Sequence, residues 1–212
     1  MTRTPLSVPE AIRVRRTTKK FKPDPIPEAT LKELISLTLA APSSHNLQPW
    51  RIVIVDDPAQ RAALAKASWN QAQIATAPVT FVFAASIRGW EKTLPQTIKT
   101  ALNLGAWTEK TADYFRDNVP VFQDSLAEKQ REYVIKDAII AATHCALAAE
   151  SLGLNSCLMN GWVEEGVKEI IGARDNPDIV IALLLPIGYG DAAFGHAGRL
   201  PEEVTVFRNR IS

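Results

Sequence analysis

The stretch APSSHNLQPW, residues 41 to 50, concentrates two hydroxyls, an imidazole, two amides and an indole in one loop. Ser44 beside His45 invites a nucleophile and base. Adjacent residues on an extended loop point to opposite sides, however, and a serine hydrolase needs nucleophile, base and oxyanion hole to converge. No G-x-S-x-G elbow occurs either. Metal chemistry needs several ligands close together, whereas His45, His144 and His196 are scattered along the chain. His144 falls in an apolar helical stretch and is expected to be a packed, hydrogen-bonded core residue. GYGDAA offers Gly188, Gly190 and Ala193 in the G-x-G-x-x-A spacing of a dinucleotide fingerprint. The helix that must follow is missing; Phe194, Gly195, Gly198 and Pro201 come instead, so these glycines are expected to make a turn.

Two clusters survive these exclusions. In RRTTKKF, an extended backbone places Arg15, Thr17 and Lys19 on one side within about 7 Å, two cations and a hydroxyl suited to a phosphate. The competing reading is a solvated basic strand. In the opening loop, Ser43, Ser44, Asn46 and Gln48 supply neutral donors and acceptors that suit a flat heterocycle with carbonyls, ring nitrogens and a polyol chain. Its competitor is a self-satisfied turn in which Asn46 caps its own backbone and Trp50 fills the core.

Such groups need elements to hold them. Pro9 opens a short helix ending near Val14, before the extended RRTTKKF. Leu31, Leu34, Ile35, Leu37 and Leu39 mark a buried helix over 27–40, which Pro42 stops. RIVIV at 51–55 and PVTFVFAA at 78–85 read as strands around a helical RAALAKA at 61–67. Residues 87–130 form a helical insertion or lid carrying Trp90, Trp107, Tyr114, Phe115 and Phe122. The longest helix covers 131–152, Ala-rich and ended by Gly153, its small side chains letting another helix approach closely. NSCLM and DIVIALLLPIGYG supply two more strands around a short helix at 163–171. The expected fold is α+β, a central mixed sheet flanked by helices in one domain over 1–212.

With 212 residues, 46% of them hydrophobic, the chain can bury a real core. Its 24 Lys and Arg against 23 Asp and Glu leave +1, so no global field draws it to nucleic acid or a lipid surface. Cys145 and Cys157 lack knuckle or disulfide spacing and suit buried thiols in a reducing compartment. No secretory leader or membrane-length apolar run is read, so a soluble, cytoplasmic protein is expected.

RRTTKKF, APSSHNLQPWRIVIV, WNQAQIATAPV, NGWVEEGVKEIIG and the terminal PIGYGD…GRLPEEV resemble, in order and spacing, the nitroreductase family of FMN-dependent oxidoreductases. The resemblance spans nearly the whole chain and implies an intertwined homodimer with two FMN sites at its interface, built around the 131–152 helix. It gives Arg15, Arg16, Thr17 and Lys19 the flavin phosphate, Lys19 also the N1 side of the ring, and makes Arg199 the C-terminal phosphate ligand. Pro42, Ser43, Ser44 and Asn46 match the loop that crosses to the partner's flavin. Asn70 and Gln71 resemble the amide facing the pyrimidine edge, and Asn160 and Gly161 the backbone near flavin N5. Three positions depart from well-studied members. Asn160 stands for an acidic residue, and Gln73 and Ala197 for lysines, so fewer cations surround the ring.

What the resemblance implies chemically is ping-pong hydride transfer through N5 from NADH or NADPH to a nitroaromatic, quinone or related acceptor, with no catalytic side chain and no metal. Trp107, Tyr114 and Phe115 are candidates for lining the acceptor pocket. The alternatives are dehalogenation, flavin fragmentation or enone reduction on the same scaffold, a flavin-binding sensor, or a cofactor-free interaction protein.

Overall fold

A computed structural model describes residues 4–190 and 195–211. Helix α1 (Val8–Val14) has Pro in its first turn and a Glu10 carboxylate accepting from the Ser7 N–H at 2.8 Å. Helix α2 (Glu28–Leu39) buries Leu34 and Thr38 and stops before Pro42. Strand β1 (Trp50–Val55) leads to α3 (Pro58–Ala67), whose N-terminus is capped by the Asp57 carboxylate accepting from the Gln60 N–H at 2.8 Å. There follow α4 (Ala72–Thr76), β2 (Val79–Ser86), α5 (Trp90–Asn103), α6 (Glu109–Ser125), α7 (Gln130–Ser151), β3 (Asn155–Ser156), α8 (Glu164–Ile170), β4 (Ile179–Gly188) and α9 (Glu202–Thr205). Among the described residues no helix is long and apolar enough to cross a membrane.

The strands make one sheet in the order β1-β2-β4-β3, every ladder antiparallel. The parallel component of the expected mixed sheet is a single bridge, Thr17 to Ser156, and the NSCLM strand shrinks to β3 plus a bridge from Met159 to Leu184. β2 is central and buried throughout, which is why its sequence is continuously apolar instead of alternating. The register shifts between Phe83 and Ala84, so Ala182 is an extra residue on β4. That bulge lets Val180 and Ala182 face the same core as Leu183, Leu185 and Ile187.

α2 and α7 cover one face of the sheet; α3, α4 and α8 cover the other. The small residues of α7, Ala138, Ala141, Ala142, Cys145, Ala146 and Ala149, all 0–1% exposed, let another helix come close as expected: they pack against α2 as well as against the sheet. His144 corrects an expectation: it lies on the exposed side of α7, with Nδ1 3.0 Å from the Ile140 carbonyl, because the helix turns its apolar stripe away at that position. Gly188 is a second correction, since it ends β4 instead of making a turn. Ala193 and Phe194 of the same motif lie outside the described residues. Cys145 and Cys157 are free and buried, and burial pushes the Cys145 thiol up to about 12.

α5 and α6 pair over a separate apolar cluster, Leu94, Ile98, Ala112 and Val119, into which the opening loop inserts Leu47.

Candidate functional site

Two walls of polar groups emerge, one beside β3 and one in the loop before β1. The first begins where α1 ends. Arg16 donates to the Arg13 and Arg15 carbonyls, both at 2.7 Å, and so closes the helix; Arg15 keeps a buried Nη1 with no hydrogen-bond partner. The chain then runs beside β3, bridging Thr17 to Ser156, with the Thr18 N–H donating to the Ser156 carbonyl at 3.2 Å. Thr18 turns inward, fully buried, while Thr17 is half-buried and Lys19 exposed, the alternation that extended backbone imposes. The Thr18 and Ser156 hydroxyls are buried without partners, as is Arg15 Nη1. Lys19 Nζ lies 3.9 Å from Cys157 Sγ. Burial raises that thiol's pKa, with Lys19 and Arg15 opposing. A buried guanidinium N–H without a partner is costly in a dry interior, so this wall is short of an acceptor, and an anion would supply it.

Beyond β3 the chain bridges Met159 to Leu184 and runs on through Asn160, exposed, to Gly161. Gln73, 4% exposed, donates to Gln71 Oε1 at 2.8 Å, and Gln71 Nε2 donates to the Gly161 carbonyl at 3.3 Å. This chain of amides occupies the place where the resemblance expected a lysine. Asn70 is exposed in the left-handed region (φ 53°), as is Trp69 (φ 53°), whose ring carbon Cζ3 lies 2.9 Å from where a Gly161 Cβ would stand. Arg15, Thr17, Lys19, Gln71 and Gly161 thus lie on elements anchored around β3 and the segment after it.

The second wall is the opening loop, a 3-10 turn over Ser44–Asn46. No Ser-His-Asp triad forms. Ser44 donates its hydroxyl directly to Asp137 at 3.3 Å, and its N–H to the same carboxylate at 3.2 and 3.3 Å, while His45 Nδ1 is buried without a partner. Much of the self-satisfied reading holds. The Gln48 N–H donates to Ser43 Oγ at 2.9 Å, Gln48 Nε2 to Asn46 Oδ1 at 3.1 Å, and Trp50 is 6% exposed in the core. A hydroxyl that accepts one bond keeps its own proton free, so Ser43 O–H and the Asn46 Nδ2 remain donors. Pro42 is exposed at the head of this loop.

Sequence reasoning missed Asp137, the residue beneath that loop. Its signal was a lone carboxylate at the head of DAIIAATHCALAA. It also missed Thr93 and Thr97, whose hydroxyls donate to the Leu47 and Asn46 carbonyls at 2.8 and 3.1 Å.

Trp107 and Phe115 stack at 4.3 Å within the α5–α6 cluster, whereas Tyr114 is 60% exposed. Arg199 is exposed, donating to its neighbour's carbonyl, Gly198, at 2.6 Å, and residues 195–211 are exposed throughout. Among the described residues nothing brings Arg199 to Arg15.

A family model described as the nitroreductase family matches residues 12–189. The chain belongs to the nitroreductase family. It is 32% identical over 195 residues to a Thermus thermophilus protein named NADH dehydrogenase, covering 92% of each chain. A Bacillus subtilis relative carried under the name of an NAD(P)H nitroreductase is 28% identical over 196 residues, covering 91% of this chain and 92% of its own. In structure, a nitroreductase-type protein from Exiguobacterium sibiricum solved in complex with FMN superposes with a TM-score of 0.85 at 23% identity, over 98% of this chain and 100% of that one.

Proposed function

We propose that the protein is a homodimeric, FMN-dependent NAD(P)H oxidoreductase that reduces nitroaromatics, quinones or related small acceptors. The observation that carries this is the unpartnered Arg15 Nη1 on a wall that also holds Thr17, Lys19, Gln71 and Gly161. It fits a cofactor with a phosphate at one end and a heterocycle with amide-like edges at the other. FMN, when bound, supplies the hydride transfer from NADH or NADPH to an acceptor, chemistry that belongs to the cofactor.

The chain's own groups bind and orient. Arg15, Thr17 and Lys19 hold the phosphate, with Arg16 fixing the helix end behind them. The Asn70 and Gln71 amides face the pyrimidine edge, and Asn160 and Gly161 flank the reactive side. Ser43 and Asn46 serve the flavin of the other subunit, joined there by Pro42 and by Ser44 through its backbone and lone pairs, and Arg199 reaches across likewise. Two facts support the second subunit. The 43–46 turn is fixed at Asp137 while Leu6, before α1, is fixed at Ser151, roughly 20 Å further along α7. Large apolar side chains also stand exposed on α7 and the C-terminal segment, among them Ile139, Ile140, Leu200 and Phe207, where a second subunit would cover them. α5 and α6 act as a lid, with Tyr114 at the acceptor and Trp107 and Phe115 shaping the pocket from within. Free buried thiols fit a reducing compartment, the cytoplasm.

The test is direct. Purified protein should be yellow with FMN, run as a dimer in light scattering, and oxidise NADH or NADPH with a quinone or nitroaromatic, giving parallel double-reciprocal lines. Colourless protein that takes up no added FMN overturns the reading.

A further inference from the structure

Asp137 is 3% exposed on the buried stripe of α7, beside Val134, Ala138 and Ala141. A carboxylate there is expensive unless hydrogen-bonded or paired. Among the described residues it enters no salt bridge, and its hydrogen-bond donors are the N–H and hydroxyl of Ser44. Burial raises its pKa, and Ser44, with a weaker contribution from His45, opposes that rise. A group that costs the fold this much and touches one loop is a mark of function.

The loop needs holding. His45 (φ 52°), Asn46 (φ 54°) and Gln48 (φ 48°) are all left-handed, and Gln48 in particular keeps that conformation only with support from its surroundings. From the lid side, Thr93 and Thr97 take the Leu47 and Asn46 carbonyls, and the His45 ring lies 5.8 Å from Phe115 and 5.3 Å from Phe122. From α7, Asp137 takes Ser44.

We propose that Asp137 is a positioning residue: by gripping Ser44 through both its N–H and its hydroxyl, it aims the Ser43 hydroxyl and the Asn46 amide at the cofactor of the other subunit. It does not touch that cofactor. Because the Ser44 proton is spent on Asp137, the donors that reach the flavin from this turn are Ser43 and Asn46. This rests on the FMN reading above.

The experiment compares Asp137→Ala, which removes the acceptor, with Asp137→Asn, which retains one. FMN dissociation constants come from flavin fluorescence on the dimeric protein, and amide hydrogen exchange at Ser44 is followed on the cofactor-free protein. In Asp137→Ala the FMN dissociation constant should rise on the order of tenfold, the usual penalty for losing a supporting hydrogen bond, with faster Ser44 exchange and unchanged exchange in the sheet. Asp137→Asn should restore both to within about threefold. The proposal is overturned if Asp137→Ala binds FMN like the parent with Ser44 still protected, or if both variants lose FMN in step with melting temperature. Failure of the parent protein to bind FMN sinks the flavin reading and, with it, the cofactor part of this proposal; Ser44 exchange then shows separately whether Asp137 holds the turn.

Discussion

The two polar walls differ in how far the chain itself satisfies them. Around Arg15 three buried groups, Arg15 Nη1, Thr18 Oγ1 and Ser156 Oγ, have no partner. In the 43–48 turn most groups are already paired, with Asp137, Thr93, Thr97 and each other. The first leaves buried polar groups open; the second is held by its own partners, with Ser43 O–H and Asn46 Nδ2 as spare donors. Incomplete satisfaction costs free energy in the empty protein and is recovered on binding. Pre-organisation costs it in the fold and spares it on binding.

The largest expected effect separates the walls. Arg15→Ala removes a charge-assisted contact worth about 1.5 to 3 kcal/mol and should raise the FMN dissociation constant roughly 10- to 100-fold. The thermal midpoint of the cofactor-free protein should hold or rise slightly, because Arg15 Nη1 is buried there without an acceptor. In the proposed dimer, Arg199→Ala should weaken FMN comparably, through the exposed segment of the other chain. Fluorescence titration checks both, and undisturbed FMN binding in the two variants removes the phosphate assignment.

The support beneath the second wall gives the next effect. Phe115→Ala should cost about 1 to 3 kcal/mol in urea unfolding, below the roughly 3 to 5 of a fully buried Phe, because the ring is half-buried against Trp107. Tyr114→Ala should stay within about 0.5 kcal/mol yet alter the KM for a bulky acceptor. Equal destabilisation by both would show that the lid packs differently.

A smaller effect tests the unpartnered groups. Thr18→Val keeps the shape and deletes a buried hydroxyl without a partner, so the cofactor-free protein should be unchanged or up to about 1 kcal/mol more stable. A loss of several kcal/mol by calorimetry would mean that Thr18 is bonded after all.

The smallest is a slope. Burial raises the Asp137 pKa, so the folded state holds that proton more tightly than the unfolded chain. The resulting stabilisation is complete below the ordinary carboxylate range and is lost as pH rises through the raised value. The melting temperature of the parent should therefore fall relative to that of Asp137→Asn across that window. Parallel curves would mean that Ser44 fully offsets the burial.

Much of the fold was legible because apolar period and punctuation are local. Pro9, Pro42 and Gly153 bracket helices where expected, and RIVIV and PVTFVFAA form β1 and β2. NSCLM misled because burial as a bridge segment leaves the same apolar signature as a strand. The Ala-rich face of α7 was legible as a face that another helix approaches, while only the fold shows that this helix is α2. Of the site, the types of residue were visible and their obligations were not. RRTTKKF contains two arginines, and only the fold shows that Arg16 closes α1 while Arg15 is left unpaired.

The sequence by itself determined the helices, the strands and the two polar clusters, because these follow from spacing within a few residues. Only the tertiary structure decided that Ser44 belongs to Asp137, that Gln73 and Gln71 line up on Gly161, and that Arg199 is left out in solvent. Those pairings join residues up to 93 positions apart, and a hydrogen bond depends on ångström distances that chain spacing does not encode.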